Sequence, residues 1–260
     1  MRRNGWTLAF ALMAAPAMAQ ANPPPAGWAL SLGFGTGWHS NPNELSTRAK
    51  GDGFAAQEIG LAHRRPFWEG GALTLSVTGG SEFYAREANA GIQRAIATAS
   101  LSQVWQGYFF AFTVSQRKSL SHDFSRHDGA STEFGVNISR TFSLGEAWSL
   151  LVFSRVARRL LNDGTEDQWR ANINGTLTYK VGAWSWRMGG GFAYALEDKT
   201  PLLPRINDRT VSARLGVGYE WEKDREFTFG SSFSRTYSSY QPNRFKSFTI
   251  QPRVSATIRF

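Results

Sequence analysis

The chain has 260 residues, a formal charge of +9, no cysteine and a mean hydropathy of −0.34. The missing thiols exclude a disulfide framework and a lipid-anchored cysteine, and the modest hydropathy excludes a bundle of membrane helices. The positive charge would suit a nucleic-acid partner, but no nucleic-acid-binding module is recognisable, so no nucleic acid is expected.

Residues 1–19 open with Met1, Arg2 and Arg3, run through an apolar stretch from Trp6, and end in Ala17, Met18 and Ala19. That is the pattern of a secretory signal peptide cut after Ala19, and the apolar run is shorter than the roughly 20 residues of a spanning helix. Its removal takes away Arg2 and Arg3 and leaves 9 − 2 = +7. Residues 20–27 read as a short periplasmic lead-in and residues 28–260 as one β domain.

In a strand, successive side chains point to opposite faces. The first strand alternates Trp28, Leu30, Leu32, Phe34 and Trp38 with Ala29, Ser31, Gly33, Gly35 and Gly37. A polar segment, 40–53, leads to a weaker strand with Ile59 and Leu61 opposite Glu58, closed by a turn expected at 66–71. The third strand sets Leu73, Leu75, Val77 and Phe83 against Thr74, Ser76 and Glu82. After a loop at 86–91, Ala95, Ala97, Ala99, Leu101 and Trp105 share a parity. A turn at Gly107 precedes Tyr108, Phe110, Phe112 and Val114, with Arg117 opposite. Segment 122–129 is a charged loop; its His122, Asp123, His127 and Asp128 match no tight metal pattern, and no metal is expected.

The sixth strand carries Phe134, Val136, Ile138 and Phe142 against Glu133, and the seventh Trp148, Leu150, Val152 and Val156 against Arg155 and Arg159. The seventh is ambiguous, since Leu151 and Phe153 fall on the arginine side. Past a loop at 162–167, the eighth strand is clean: Trp169, Ala171, Ile173, Leu177 and Tyr179 on one face, Arg170, Asn172, Asn174 and Lys180 on the other. Trp184, Trp186, Met188 and Phe192 then oppose Arg187. A loop at 199–208 precedes Val211, Leu215, Val217, Tyr219 and Trp221, with Arg214 and Glu220 opposite. A turn at 222–226, a strand with Phe227, Phe229 and Phe233, and a loop at 237–246 lead to the last strand. There Phe248, Ile250, Val254, Ile258 and Phe260 alternate with Thr249, Gln251, Arg253 and Arg259, and the chain ends on the aromatic.

Twelve strands follow, with fourteen as the alternative count, and short connections alternate with longer polar ones. An even number of antiparallel strands with short periplasmic turns and long outer loops is the layout of a transmembrane up-and-down β-barrel, all-β, in a bacterial outer membrane. Trp28, Trp38, Trp105, Trp148, Trp169, Trp184, Trp186 and Trp221 then form aromatic girdles. An arginine facing lipid would cost roughly 2–4 kcal/mol at the bilayer midplane, so the opposite parity is expected to line the lumen. It bears Arg64, Arg94, Arg117, Arg155, Arg159, Arg170, Lys180, Arg187, Arg214, Arg253 and Arg259 against Glu58, Glu82, Glu133 and Glu220. Such a wall favours anions, whereas complete carboxylate pairing would plug the interior.

The terminal strand resembles the closing strand of outer-membrane barrels, with Ile258 and Phe260 as the signal that the assembly machinery reads. The stretch from Leu32 to Asn43, with Ser40 and Asn41 after a glycine-rich aromatic strand, resembles the first barrel strand of the surface lipoprotein assembly modifier (Slam) family. That likeness, shared by the layout of segment 209–260, implies a barrel that helps lipoproteins reach the cell surface. The helical-repeat domain usual in that family has no counterpart in this sequence. The size and basic interior are also similar to the oligogalacturonate-type channels, which implies an arginine-lined pore. His39 and Ser40, side by side at the mouth of the first strand, are the weak candidates for a rim-located lipid hydrolase, although neighbours on a strand point apart. Gly33, Gly35 and Gly37 precede no helix, so no cofactor is expected. The expected partners are outer-membrane lipids and the assembly machinery, with an anionic solute or a lipoprotein as cargo.

Overall fold

In the computed structural model the described residues are 26–42, 50–86, 91–121, 127–161, 167–198, 205–240 and 244–260. The expected signal peptide and most of the lead-in lie outside them, as do the side chains of His122, Asp123, His127 and Asp128. The strands are β1 (Gly27–His39), β2 (Asp52–Trp68), β3 (Gly71–Tyr84), β4 (Ile92–Trp105), β5 (Tyr108–Ser121) and β6 (His127–Ser143). They continue as β7 (Trp148–Leu161), β8 (Gln168–Val181), β9 (Trp184–Glu197), β10 (Asn207–Glu222), β11 (Arg225–Ser238) and β12 (Phe245–Arg259). Each pairs antiparallel with its sequence neighbours, and β1 pairs with β12, so the sheet closes into a barrel.

Closure leaves no open edge, so the backbone groups of the spanning strands are satisfied within the sheet. Strands of 13–17 residues, at about 3.3 Å per residue and a tilt near 40°, reach roughly 33–43 Å, enough for the hydrocarbon band. The large apolar side chains face outward: Phe34, Ile59, Val77, Leu101, Val136, Ile173, Met188, Leu215 and Phe229 are all exposed. Among the described residues the buried side chains are mostly polar, including Glu82, Gln93, Glu197, Asp208 and Gln251. The polar side of the wall therefore faces the interior.

Five connections are short, at 69–70, 106–107, 144–147, 182–183 and 223–224. Gln106 (φ 48°), Asp224 (φ 65°), Gly70, Gly107 and Gly182 adopt the positive φ that such tight turns require. The expected turn at 66–71 is corrected: β2 runs on through Trp68, with Pro66 opposite Ala72 and a bulge between Pro66 and Trp68 at the strand's end. Likewise Tyr237 and Ser238 belong to β11, Phe245 and Lys246 to β12, and Arg225 and Glu226 to β11 rather than to loops or turns.

At the short-turn end Trp28, Trp105, Trp148, Trp184, Trp186 and Trp221 stand exposed, joined by Trp68. At the other end stand Trp38 and Trp169.

Candidate functional site

Charged side chains line the inner wall, and their chemistry follows from cross-strand register. Glu133 on β6 accepts from Arg155 on β7 at 2.5 Å, and lies 3.6 Å from Arg170 on β8. Arg159 is its direct register partner. Arg117, on β5, is opposite Ser131, two residues before Glu133. Arg94 on β4, opposite Gly80, is 3.9 Å from Glu82. One arc of wall, β3 to β8, thus gathers Arg94, Arg117, Arg155, Arg159 and Arg170 around Glu82 and Glu133. The charge on these named groups is 5 − 2 = +3.

The rest of the wall is closer to balance. Arg187 meets Glu226 at 2.5 Å, Lys180 meets Glu220 at 2.7 Å, Arg253 lies 3.7 Å from Glu58, and Arg259 pairs with Asp224. Asp52, Glu197 and Asp208 are further buried carboxylates near the long-loop end. The expectation of four carboxylates against the bases is therefore corrected. Asp224 and Glu226 fall in the expected turn 222–226, Asp52 and Asp208 in the expected loops 40–53 and 199–208, and Glu197, at the end of β9, has no assignment from the sequence. Among the ion pairs, only register reveals that Glu226 reaches Arg187 on β9 across β10.

Glycines on the inward parity decide how the long side chains lie. A Cβ on Gly33 would come within 2.6 Å of the Arg253 guanidinium, on Gly135 within 3.1 Å of that of Arg155, and on Gly189 within 3.1 Å of Arg214 Cγ. These arginines therefore lie flat along the sheet on glycine beds instead of projecting towards the axis. A space of about 490 Å³ lies against the β12–β1–β2–β3 wall, lined by Gly33, Glu58, Gly80 and Ser255 among others. Leu151 and Phe153 share the parity of Arg155 and so face inward, which settles the ambiguity of β7.

At the long-loop end, His39 is buried; its Nδ1 accepts from the Asn41 N–H at 3.3 Å, and its ring stands edge-on to Tyr84 at 6.3 Å. Ser40 does something else. Its Oγ accepts from the Phe248 N–H at 2.7 Å, its own N–H donates to the Phe248 carbonyl at 2.8 Å, and Asn41 Nδ2 donates to the Lys246 carbonyl at 3.2 Å. Ser40 and Asn41 thus tie β1 to β12, and no His–Ser hydrogen bond joins the two candidate catalytic side chains. At the other end of the same seam the Trp28 N–H donates to the Phe260 carbonyl at 2.9 Å, and the Phe260 N–H to the Trp28 carbonyl at 3.0 Å. Phe54 and Phe245, also inward and buried, sit near the long-loop mouth. They were not singled out in the sequence, because one follows a loop and the other fell inside an expected loop.

No protein-family model matches the sequence, and no curated protein matches it. The likeness to the lipoprotein assembly modifiers thus stays with the residues that carry it. Solved structures do match. The COG4313 outer membrane channel from Pseudomonas putida F1 is 12% identical with a TM-score of 0.60, over 92% of this chain and 98% of that one. The translocator domain of the autotransporter NalP from Neisseria meningitidis is 10% identical with a TM-score of 0.53, over 97% and 94%. The KdgM porin, 8% identical over 88% and 99%, has a TM-score of 0.45, too low to carry an argument. At such identities the likeness speaks for the fold: this chain is a twelve-strand, closed antiparallel β-barrel of the kind found in bacterial outer membranes.

Proposed function

We propose that the barrel is a narrow passive channel favouring small anionic solutes. The observation that carries this reading is the arc of Arg94, Arg117, Arg155, Arg159 and Arg170 around two carboxylates. Like charge on a low-dielectric wall concentrates the opposite ion and repels its own sign. The glycine beds support the reading from the steric side, since arginines laid along the sheet leave the axis free while still presenting charge.

Proteoliposomes holding the purified protein should admit a small organic acid anion faster than a neutral sugar or an organic cation of similar size. Equal rates for the three, or the cation first, would contradict it.

A second reading, a barrel that assists a lipoprotein to the surface, is favoured by Ser40 and Asn41, which occupy the β1–β12 seam. It predicts that a co-expressed lipoprotein loses surface display when the barrel is deleted, with no solute flux in proteoliposomes. A rim hydrolase is not proposed, because the Ser40 hydroxyl is engaged by Phe248 and His39 by Asn41.

A further inference from the structure

The outer wall of β10–β12 carries a group of cations that the channel reading does not use. Arg209 on β10, Arg235 on β11 and Lys246 on β12 all lie on the outward parity near the long-loop end, and all are exposed. Arg235 and Lys246 are direct register partners, and Val211 is the partner of Arg235 on its other side. Arg209 is flanked by Tyr237 and Tyr194. The next row towards the short turns is Ala213, Phe233 and Phe248. The outward surface therefore changes from apolar to basic and aromatic within two residues along each strand.

Two features call for an anion here. Like charges directly opposite on adjacent strands repel, and among the described residues none of the three forms an ion pair. Two other outward arginines do form ion pairs: Arg158 with Asp167 and Asp198, and Arg225 with Glu222. The Arg244 Nε–H, beside the group, donates to the Ser238 carbonyl, and the Arg235 guanidinium stacks on Tyr237 at 4.6 Å, fixing the direction of that side chain.

We propose that this face binds a phosphorylated glycolipid of the outer leaflet. Arg235, Lys246 and Arg209 hold its phosphates, and the acyl chains lie along Phe233 and Phe248. Guanidinium groups take phosphate oxygens in a fork, and a cation on a long stem reaches the headgroup level while its methylenes stay in the apolar zone. The occupant is a lipid rather than a free anion because the cations stand on the lipid-facing parity, directly above an aromatic row. The inference does not depend on the channel reading, which concerns the opposite face of the sheet.

The test uses folded barrel, certified by heat-modifiable migration, titrated in detergent with a bisphosphorylated multi-acyl disaccharide lipid and read by native mass spectrometry. The wild type should retain this lipid at least tenfold more than the same lipid without phosphates. The combined R209Q, R235Q and K246Q variant should lose that preference, and Lys118→Gln, an outward cation on β5 away from the group, should keep it. Lys246→Gln alone, which removes one of the two opposed charges, should lower retention severalfold and serves if the triple variant does not fold. Equal retention by wild type and variants would overturn the site. Inorganic phosphate displacing the lipid at equal concentration would overturn its assignment to a lipid.

Discussion

Glu133 is the single carboxylate shared by Arg155 at 2.5 Å and Arg170 at 3.6 Å, with Arg159 opposite. Glu133→Gln removes one negative charge from the basic arc. It should cost about 1–3 kcal/mol of stability, the usual penalty for stranding a charged hydrogen-bond partner, while strengthening anion preference. Urea unfolding and ion selectivity, measured on the same preparation, check the two directions separately. Selectivity unchanged in a folded Glu133→Gln barrel would place the permeating ion away from the arc. The glycine beds are testable at the same scale. Gly33→Val puts a branched side chain where the Arg253 guanidinium now lies, 2.6 Å from the first added carbon. The arginine must swing off the wall and leave Glu58, so single-channel conductance should fall. Gly175→Ala, with nothing within 4 Å of the added carbon, should leave conductance unchanged. An equal fall in both would remove the steric account.

Between β1 and β12 the ladder runs from Ala29–Arg259 to His39–Thr249, but Thr36 and Gly37 have no register partner, at the level where Pro252 lacks an N–H. The seam is thus secured at its two ends, by Trp28 with Phe260 and by Ser40 and Asn41 with Phe248 and Lys246. Replacing Ser40 and Asn41 together by Ala removes two side-chain hydrogen bonds at roughly 1 kcal/mol each. The barrel should convert to its unfolded gel form at lower temperature, with lipid composition unchanged. Deleting Phe260 should reduce the heat-modifiable, membrane-extracted fraction, and full assembly without it would contradict its role in closing the seam. Much at this scale was legible in the sequence, because side-chain parity is local: β8 reads as Trp169, Ala171 and Ile173 outward and Arg170, Asn172 and Asn174 inward without reference to any other strand. Register is not local. Pro66 looked like a turn because its place opposite Ala72 depends on β3, and Glu226 looked like a turn residue because its partner Arg187 lies two strands away. The two proposed sites share that limit, since the basic arc and the outer cation group are both sets of cross-strand neighbours.

Across the whole molecule the inner charge is uneven: closer to balance along β9–β12, β1 and β2, and in excess on the arc from β3 to β8. That asymmetry is the central claim, because it assigns selectivity to particular arginines instead of to net charge. Arg187 faces Glu226 at 2.5 Å and Arg259 faces Asp224, one carboxylate to each base, so their replacement should matter less than that of Arg117 or Arg159, which belong to an arc of five bases to two carboxylates. The direct measurement is the reversal potential of purified protein in a planar bilayer under a potassium chloride gradient. At low salt, where the screening length exceeds about 10 Å, the wild type should pass chloride in preference to potassium. Arg117→Gln with Arg159→Gln should move the potential towards zero, and Arg187→Gln with Arg259→Gln should move it much less. Cation preference in the wild type, or equal shifts from the two pairs of substitutions, would contradict the account.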